Sequence, residues 1–184
     1  MEDKTDEELA KYVQEGRTDA FGLLVVRYED RLLRYGRRLL FDNEMAKDAV
    51  QEVFLRSFSN IQSFNVSKRF SPWIYRIAHN VFINIIKKKE RESYSVINVD
   101  TLFSFSGSDG LEAISHAERA EEAERINQYL DKVHSKYREP LVLFYFENKD
   151  YREISDILTV PIATVGVRLK RGREKIKKLY ENGK

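Results

Sequence analysis

The spacing of the apolar residues constrains this chain most, because they recur every three or four positions along much of its length. The clearest run includes Phe21, Leu24, Tyr28, Leu32 and Leu39. This period matches one face of an α-helix. Only 8 Gly and 3 Pro occur among the 184 residues, a shortage that disfavours a turn-rich β-sandwich or barrel. The sequence therefore predicts an all-α fold.

Residues 1–92 are predicted to form a first domain of four helices. Thr5 and Glu8 have the spacing of a capping box at the first helix, and Asp42 can cap the third. Ser71 and Pro72 predict the start of the fourth helix, with Ser71 as the capping residue. The core is predicted to include three aromatic residues near that start, namely Phe64, Phe70 and Trp73.

Residues 93–111 have no helical period and contain a Ser, Gly and Asp cluster, so they are predicted to be a flexible linker. Its apolar residues leave two interpretations open, a plain tether or a segment that binds in a partner's groove. Residues 112–184 are predicted to form a second small helical domain. It ends in a short helix capped by Asp150, a tight turn at residues 159–161 and a longer helix. This order is typical of a helix-turn-helix.

The last helix has an apolar side and basic flanks. At 100° per residue, the predicted core side holds Ile162, Val165, Leu169, Ile176 and Leu179. One flank holds Thr164, Arg168, Arg171, Lys175 and Lys178, and the other holds Lys170, Arg173 and Lys177. An amphipathic surface helix can look similar but usually mixes charges, and only Glu174 and Glu181 are acidic after Pro161. The pattern favours a helix that lies in the major groove between two phosphate backbones.

The formal net charge of +2 conceals two basic blocks. Residues 61–92 hold 7 Lys and Arg against 2 Asp and Glu, and residues 161–184 hold 8 against 2. The blocks alternate with acidic stretches, and local basic density is a better guide to phosphate contact than the net value. Two solvated helix ends would give the same pattern, since cations favour helix C-termini. Charge alone therefore leaves nucleic-acid binding open.

Several classes of site are disfavoured by composition. The chain has no Cys, which excludes disulfides and thiolate chemistry, and its three His are scattered. Asp48 and Glu52 lie four residues apart, but no second carboxylate pair or nearby His supports a metal centre. There is no apolar run of membrane-spanning length and no signal-peptide pattern. We expect a soluble cytoplasmic protein that is not an enzyme, needs no cofactor or metal and does not insert into membranes.

Three segments together resemble the extracytoplasmic-function (ECF, group IV) sigma factors of bacterial RNA polymerase. They are AKDAVQEVFLRSFSNIQSF, FSPWIYRIAHNVFINIIKKKER and YREPLVLFYFENKDYREISDILTVPIATVGVRLKRGREKIKKL. In that family they bind polymerase, melt and read the −10 element, and read the −35 element, respectively. Their order and spacing match, and the resemblance covers nearly the whole chain. It implies an alternative sigma factor that lends promoter specificity to RNA polymerase core enzyme during a stress response.

The resemblance also assigns roles to individual residues. The coiled coil of the largest polymerase subunit would be bound by Asp48, Gln51, Glu52 and Leu55. The −10 element would be contacted by Asn65, Ser67, Lys68, Arg69, Arg76, His79, Asn80, Asn84, Lys87 and Lys88. The −35 element would be contacted by Thr164, Val167, Arg168, Lys170, Arg171, Arg173, Lys175 and Lys178. The implied partners are the core enzyme through that coiled coil and its flap, promoter DNA and an anti-sigma factor.

The chain departs from the family pattern at the start of the last helix. The family usually has Gly-Thr-Val, then Lys or Arg, then Ser, where this chain has residues 163–167 as Ala-Thr-Val-Gly-Val. A cation is therefore missing at Gly166, and Val167 is predicted to point outward from the helix. Both changes bear on −35 preference.

One alternative function fits the helix-turn-helix alone. A stand-alone regulator would bind duplex palindromes as a dimer. It would leave the segment FSPWIYRIAHN without a role, and no ligand-sensing domain is visible. Binding of duplex DNA without polymerase would distinguish the two functions.

Overall fold

The computed structural model describes residues 3–95 and 126–182, and every regular element within them is helical. We call residues 3–95 the N-terminal half and residues 126–182 the C-terminal half. The N-terminal half contains α1 (Asp6–Gln14), α2 (Asp19–Leu40), α3 (Asn43–Ser59), a 3-10 turn (Ile61–Ser63) and α4 (Phe70–Ser95). The C-terminal half contains α5 (residues 126–131), α6 (Ser135–Tyr145), α7 (Tyr151–Leu158) and α8 (Ile162–Asn182). The predicted all-α fold is confirmed.

Local caps set several of these helix boundaries, as the sequence predicts. Thr5 and Glu8 make both hydrogen bonds of a capping box at α1. Asp42 Oδ1 accepts from the Met45 N–H at 2.9 Å and starts α3. Phe41, just before it, ends α2 in the left-handed conformation with φ of 53°. These caps satisfy terminal backbone groups that the helices cannot pair themselves.

The predicted cap of α4 is wrong. The helix begins at Phe70, so Ser71 lies inside its first turn and does not cap it. The Phe70 N–H instead donates to Glu7 Oε1 at 2.9 Å, so a carboxylate from α1 satisfies the start of α4. Ser71 Oγ is thereby left to accept a hydrogen bond from Lys149 of the C-terminal half at 2.6 Å.

The core of the N-terminal half surrounds α2, which packs on α1, α3 and α4. Tyr28 and Tyr35 of α2 are buried, and the Tyr35 ring lies 5.2 Å from the Phe82 ring of α4. Phe64 and Phe70 are buried as predicted, and the half-buried Trp73 ring lies 5.3 Å from Phe70. These contacts hold the loop before α4 against a rigid base.

The C-terminal half has helix-turn-helix order, with α7 followed by α8. Asp150 and Glu153 form a capping box at α7, and Thr159 ends that helix with a φ of 53°. Val165 and Leu169 of α8 are buried as predicted. Ile162 was predicted to face the core but is 46% exposed, because it is the first residue of α8 and has no preceding turn of that helix beside it. The correction leaves the orientation of the helix unchanged.

The two halves pack against each other, α4 on α7 and α2 on α6. Buried apolar residues of both halves belong to one cluster. Helix α4 continues to Ser95, past the domain boundary predicted at residue 92. Residues 96–111 of the predicted linker and residues 112–125 of the predicted second domain lie outside the described residues. The two domain ranges remain predictions.

Candidate nucleic-acid interface

The basic flanks of α8 face solvent. Six of the predicted −35 residues are exposed, namely Val167, Lys170, Arg171, Arg173, Lys175 and Lys178. Thr164 and Arg168 are half-buried, and Arg168 Nε is enclosed without a hydrogen-bond partner in the described residues. Val167 is 49% exposed, so it points outward as predicted. The helix therefore presents a row of cations on the side away from its core.

A close approach between α6 and α8 holds this row in place. Gly172 is buried, and a Cβ placed there would lie 2.8 Å from Leu141 Cδ1 and 3.1 Å from the Tyr137 carbonyl oxygen. A larger residue would displace the Leu141 side chain and press on the α6 backbone at the Tyr137 carbonyl. Gly166 differs, since a Cβ there would meet only Tyr151 at 3.7 Å, an ordinary contact. Of these two glycines of α8, Gly172 is the one that the packing requires.

The predicted polymerase-binding face lies on the outer side of α3. Asp48 and Gln51 are exposed, and Leu55 is 65% exposed on the same side. Glu52 is paired with Arg56, with Nε 2.6 Å from Oε1. An isolated exposed Leu is ordinary, but this one lies beside two carboxylates. The face thus combines an apolar contact with negative charge.

The loop before α4 is held by its own polar groups. Asn65 Oδ1 accepts from the Ser67 N–H at 2.9 Å, and the Asn65 carbonyl accepts from the Lys68 N–H at the same distance. The buried rings of Phe64 and Phe70 anchor its two ends. The exposed residues of the loop include Asn65, Ser67, Lys68 and Arg69. The loop therefore presents donors from a fixed backbone.

The predicted −10 residues on α4 are divided between solvent and the C-terminal half. Arg76, Asn80 and Asn84 are exposed, and Lys87 and Lys88 are exposed further along the helix. His79 Nδ1 instead lies 2.7 Å from Glu139 Oε1 of α6. Arg69 Nη1 lies 3.4 Å from Glu153 Oε1 of α7. His79 and Arg69, which were both predicted to contact DNA, thus lie beside carboxylates of the same chain.

Glu139 is the most enclosed of these carboxylates, at 3% exposed. Its Oε1 accepts from the Tyr35 hydroxyl at 2.5 Å as well as from His79. A carboxylate only accepts, so the hydrogen lies on His79 Nδ1. Burial, and then the charge of Glu139, raise the pKa of Tyr35 well above its ordinary value. One side chain of α6 therefore ties α2 and α4 together.

A second buried group lies at the turn between α6 and α7. Glu147 Oε2 accepts from the Tyr75 hydroxyl at 2.6 Å, while its Oε1 has no partner in the described residues. Burial raises the pKa of Glu147. Lys149, 4% exposed, lies over the Tyr75 ring at 4.3 Å, and burial lowers its pKa. Charged groups from this turn are thus desolvated against α4.

An open cleft of about 430 Å³ lies beside this turn, between the two halves. Its basic lining residues are Arg31, Arg34, Arg69 and Lys149, and its acidic ones are Asp6, Glu7, Glu147 and Glu153.

Within the described ranges, no three His, Asp or Glu side chains are grouped to hold a metal ion. In the same residues, no helix has the length and hydropathy needed to span a membrane.

Sequence reasoning missed Glu139, Glu147, Lys149 and Gly172. The first three are charged residues, which are expected at the surface, and each is buried with a hydrogen bond to the N-terminal half. Gly172 interrupts a basic helix, and a Gly inside a helix costs about 1 kcal/mol. That cost was the one signal in the sequence, since a helical Gly often marks a close packing contact.

Comparison with known families matches two separate segments. Residues 24–92 match the family described as Sigma-70 region 2, and residues 123–176 match Sigma-70, region 4. The ECF RNA polymerase sigma factor SigW of Bacillus subtilis is 36% identical over 173 residues, covering 91% of this chain and 92% of that protein. The ECF RNA polymerase sigma-E factor of Escherichia coli is 30% identical over 95% of this chain and 94% of its own length.

Solved structures show the same fold. The structure of CnrH in complex with the cytosolic domain of CnrY has a TM-score of 0.72 and 24% identity, covering 98% of this chain and 100% of that one. RpoE from Bartonella quintana, in complex with the anti-sigma factor NepR, has a TM-score of 0.68 and 18% identity over 88% and 96% of the two chains. Sigma factors are not enzymes. Since two relatives are at least 30% identical along almost the whole length, this chain belongs to the ECF sigma factors and is an alternative sigma factor that directs transcription.

Proposed function

We propose that this sigma factor binds RNA polymerase core enzyme, places α8 in the −35 element and uses α4 with its preceding loop at the −10 element. The observation that carries the proposal is the row of exposed cations on α8, set on an apolar base in helix-turn-helix order. An α-helix fits into the major groove, and the cations on its flanks would then face the phosphates on both sides.

The polymerase contact is assigned to the outer face of α3, formed by Asp48, Gln51, Glu52 and Leu55. Its exposed Leu beside carboxylates has the mixed character of a protein–protein contact, with an apolar centre and polar surroundings. Catalysis belongs to the core enzyme, and this chain adds none of its own. It acts in the cytoplasm, where the core enzyme and promoter DNA are found.

The −10 contact is assigned to the loop donors Asn65, Ser67, Lys68 and Arg69 and to the α4 residues Arg76, His79, Asn80, Asn84, Lys87 and Lys88. Bases extruded from the duplex are read on their edges and by stacking. Donors on a loop held between buried aromatic rings are preorganised for this task. Protein contacts to unpaired bases then offset the stacking lost on melting.

An anti-sigma factor is the third proposed partner. The structure of CnrH contains the cytosolic domain of CnrY, and that of the sigma factor RpoE contains the anti-sigma factor NepR. A protein that binds across both halves would hold them together and keep this chain from the core enzyme. Release of the anti-sigma factor would then let this chain bind core enzyme, which would start the stress response.

Run-off transcription with purified core enzyme on a promoter library tests the proposal. We expect transcripts only when both chain and core are present. The double variant Asp48→Arg with Glu52→Arg should abolish core binding while its circular-dichroism melt stays near that of the wild type. The matched control is Glu29→Arg with Asp30→Arg, two exposed acids of α2, which should leave core binding intact. Tight promoter binding by the chain alone would instead indicate a stand-alone regulator.

A further inference from the structure

One face of α2 carries three arginines that the sequence resemblance leaves without a role. Arg31, Arg34 and Arg38 are spaced three and four residues apart, so they lie within about 60° of one another around the helix. We call them the arginine face. Arg31 and Arg38 are half-buried beneath the C-terminal half, and Arg34 is exposed at the rim of the cleft.

None of these three guanidinium groups has a carboxylate within 4 Å in the described part of the chain. Arg27, one turn earlier, shows the contrast, because its Nη1 lies 2.7 Å from Asp6 Oδ1. Arg38 Nε is enclosed without a hydrogen-bond partner among the same residues, and burial lowers the pKa of this arginine. Like charges three and four residues apart on a helix repel one another, and Glu147, the acid that feels all three arginines, is not within ion-pair distance of any of them. The arginine face therefore carries positive charge that no ion pair neutralises in the described residues.

The groups opposite the arginine face indicate which chemistry it accommodates. Glu147 is 5% exposed, and the charges of Arg34, Arg38 and Arg31 all oppose the rise that burial causes in its pKa. Arg38 also lies over the Phe146 ring at 4.2 Å. Nearby, Glu153 faces Arg69 and Glu139 faces His79. We call this arrangement, with the two halves packed together, the closed chain. In it, carboxylates of the C-terminal half lie beside donors of α2, of α4 and of the loop before α4.

We propose that the arginine face is a further phosphate-binding surface for promoter DNA, used when the C-terminal half moves away from the N-terminal half. Arg31 and Arg34 line the same cleft as Arg69, so the arginine face continues the surface assigned to the −10 element. Guanidinium groups suit phosphate because they present several donors in a fixed plane. The inference rests on the proposed function and extends its DNA surface from α4 to α2.

Two roles for the arginine face predict effects of opposite sign. If the three arginines only hold the halves together, their removal opens the chain, and promoter binding by the holoenzyme stays the same or strengthens. If they contact phosphate, their removal weakens binding and reduces its dependence on salt. The sign of the effect therefore separates a structural role from a DNA-binding one.

The experiment measures promoter affinity of the holoenzyme between about 50 and 200 mM salt. We expect the triple variant Arg31→Gln, Arg34→Gln, Arg38→Gln to bind core enzyme normally and to reduce the slope of log K against log salt by about 2 to 3, since each lost phosphate contact removes about 0.7 to 0.9. Replacing all three with Lys, which keeps the charge, should retain most of the slope. Arg34→Gln alone should remove about one contact.

Arg37→Gln is the matched control for Arg34→Gln, because Arg37 is exposed on the same helix but lies outside the arginine face. We expect it to leave the slope unchanged. An unchanged slope or tighter binding in the triple variant would overturn the inference and leave the proposed function standing. Failure of wild-type holoenzyme to bind any promoter would overturn the proposed function itself, and the inference with it.

Discussion

The two basic regions of this chain have similar side chains and opposite surroundings. On α8, Lys170, Arg171 and Lys175 face solvent. Around α2 and α4, Arg69 and His79 lie beside carboxylates of the C-terminal half, and the arginine face lies near Glu147 without forming an ion pair. The closed chain therefore displays the surface assigned to the −35 element, whereas His79, Arg31 and Arg38 are half-buried between the two halves. Under the proposed function, exposure in the closed chain does not distinguish the cations that contact DNA from the others.

The contact between the two halves is strengthened by the burial of its polar groups. Exposed ion pairs such as Lys88 with Glu92 contribute about 0–1 kcal/mol. Glu139 is different, because it is almost fully enclosed and accepts two hydrogen bonds from the other half. A hydrogen bond to a buried charged group contributes about 1.5–3 kcal/mol. Glu139 therefore contributes more to holding the halves together than an exposed ion pair does.

The largest expected effect is the loss of Glu139. Glu139→Ala removes the acceptor shared by Tyr35 and His79 and leaves both donors facing an apolar gap. We expect the packing of the halves to weaken by about 3 kcal/mol, as for other broken buried pairs. Small-angle scattering should show a larger radius of gyration. Glu174→Ala, an exposed acid on α8, is the control, and equal radii for the two variants would contradict the assignment.

The next effect concerns the packing of α8 on α6, which supports the exposed cations of α8. Gly172→Ala forces a Cβ against Leu141 and the Tyr137 carbonyl oxygen, and overpacking of this kind costs about 1–3 kcal/mol. Gly166→Ala meets only an ordinary contact and gains about 1 kcal/mol of helix propensity. Because Ala at position 172 also gains about 1 kcal/mol of helix propensity, we expect Gly172→Ala to lower the unfolding temperature modestly and Gly166→Ala to raise it. A shift of the same sign in both would show that α8 is not held as described.

A smaller effect is expected from the far end of α8. Replacing Lys175 and Lys178 with Gln should weaken promoter binding by the holoenzyme about equally for all sequences. Both are exposed cations late in the helix, where groove contact gives way to phosphates, and each lost contact lowers the salt slope by about 0.9. The radius of gyration should not change, unlike that of Glu139→Ala. A change in the preferred sequence would assign these lysines to base readout.

The smallest effect concerns Val167, an exposed apolar residue between the basic flanks of α8. Its exposed side chain can meet a thymine C5-methyl, the only apolar feature of the major groove. Val167→Ser should reduce discrimination between thymine and uracil at one −35 position by about 0.5–1 kcal/mol, near the value of one buried methyl. If wild-type holoenzyme tolerates uracil at every −35 position without loss, Val167 makes no such contact.

Sequence patterns predicted local structure better than the contact between halves. The capping residues Thr5, Asp42 and Asp150 and the start of α8 were predicted because their signals lie within a few residues of one another. The cap of α4 was not, since Glu7 is distant in sequence from Phe70. Glu139 likewise has no local signal, because its burial depends on helices more than fifty residues away. The residue roles on DNA and polymerase stay predictions.

The distance between the two halves tests the central claim most directly. The chain has no Cys, so Glu29→Cys on α2 with Asp156→Cys on α7 gives two unique labelling sites, both exposed. Pulsed electron spin resonance would measure their separation in the free chain and in the holoenzyme bound to a promoter. The account predicts one short, narrow distance in the free chain and a longer one in the bound complex. The same short distance in both would contradict it, since Arg31, Arg38 and His79 would then stay half-buried against the C-terminal half while DNA is bound.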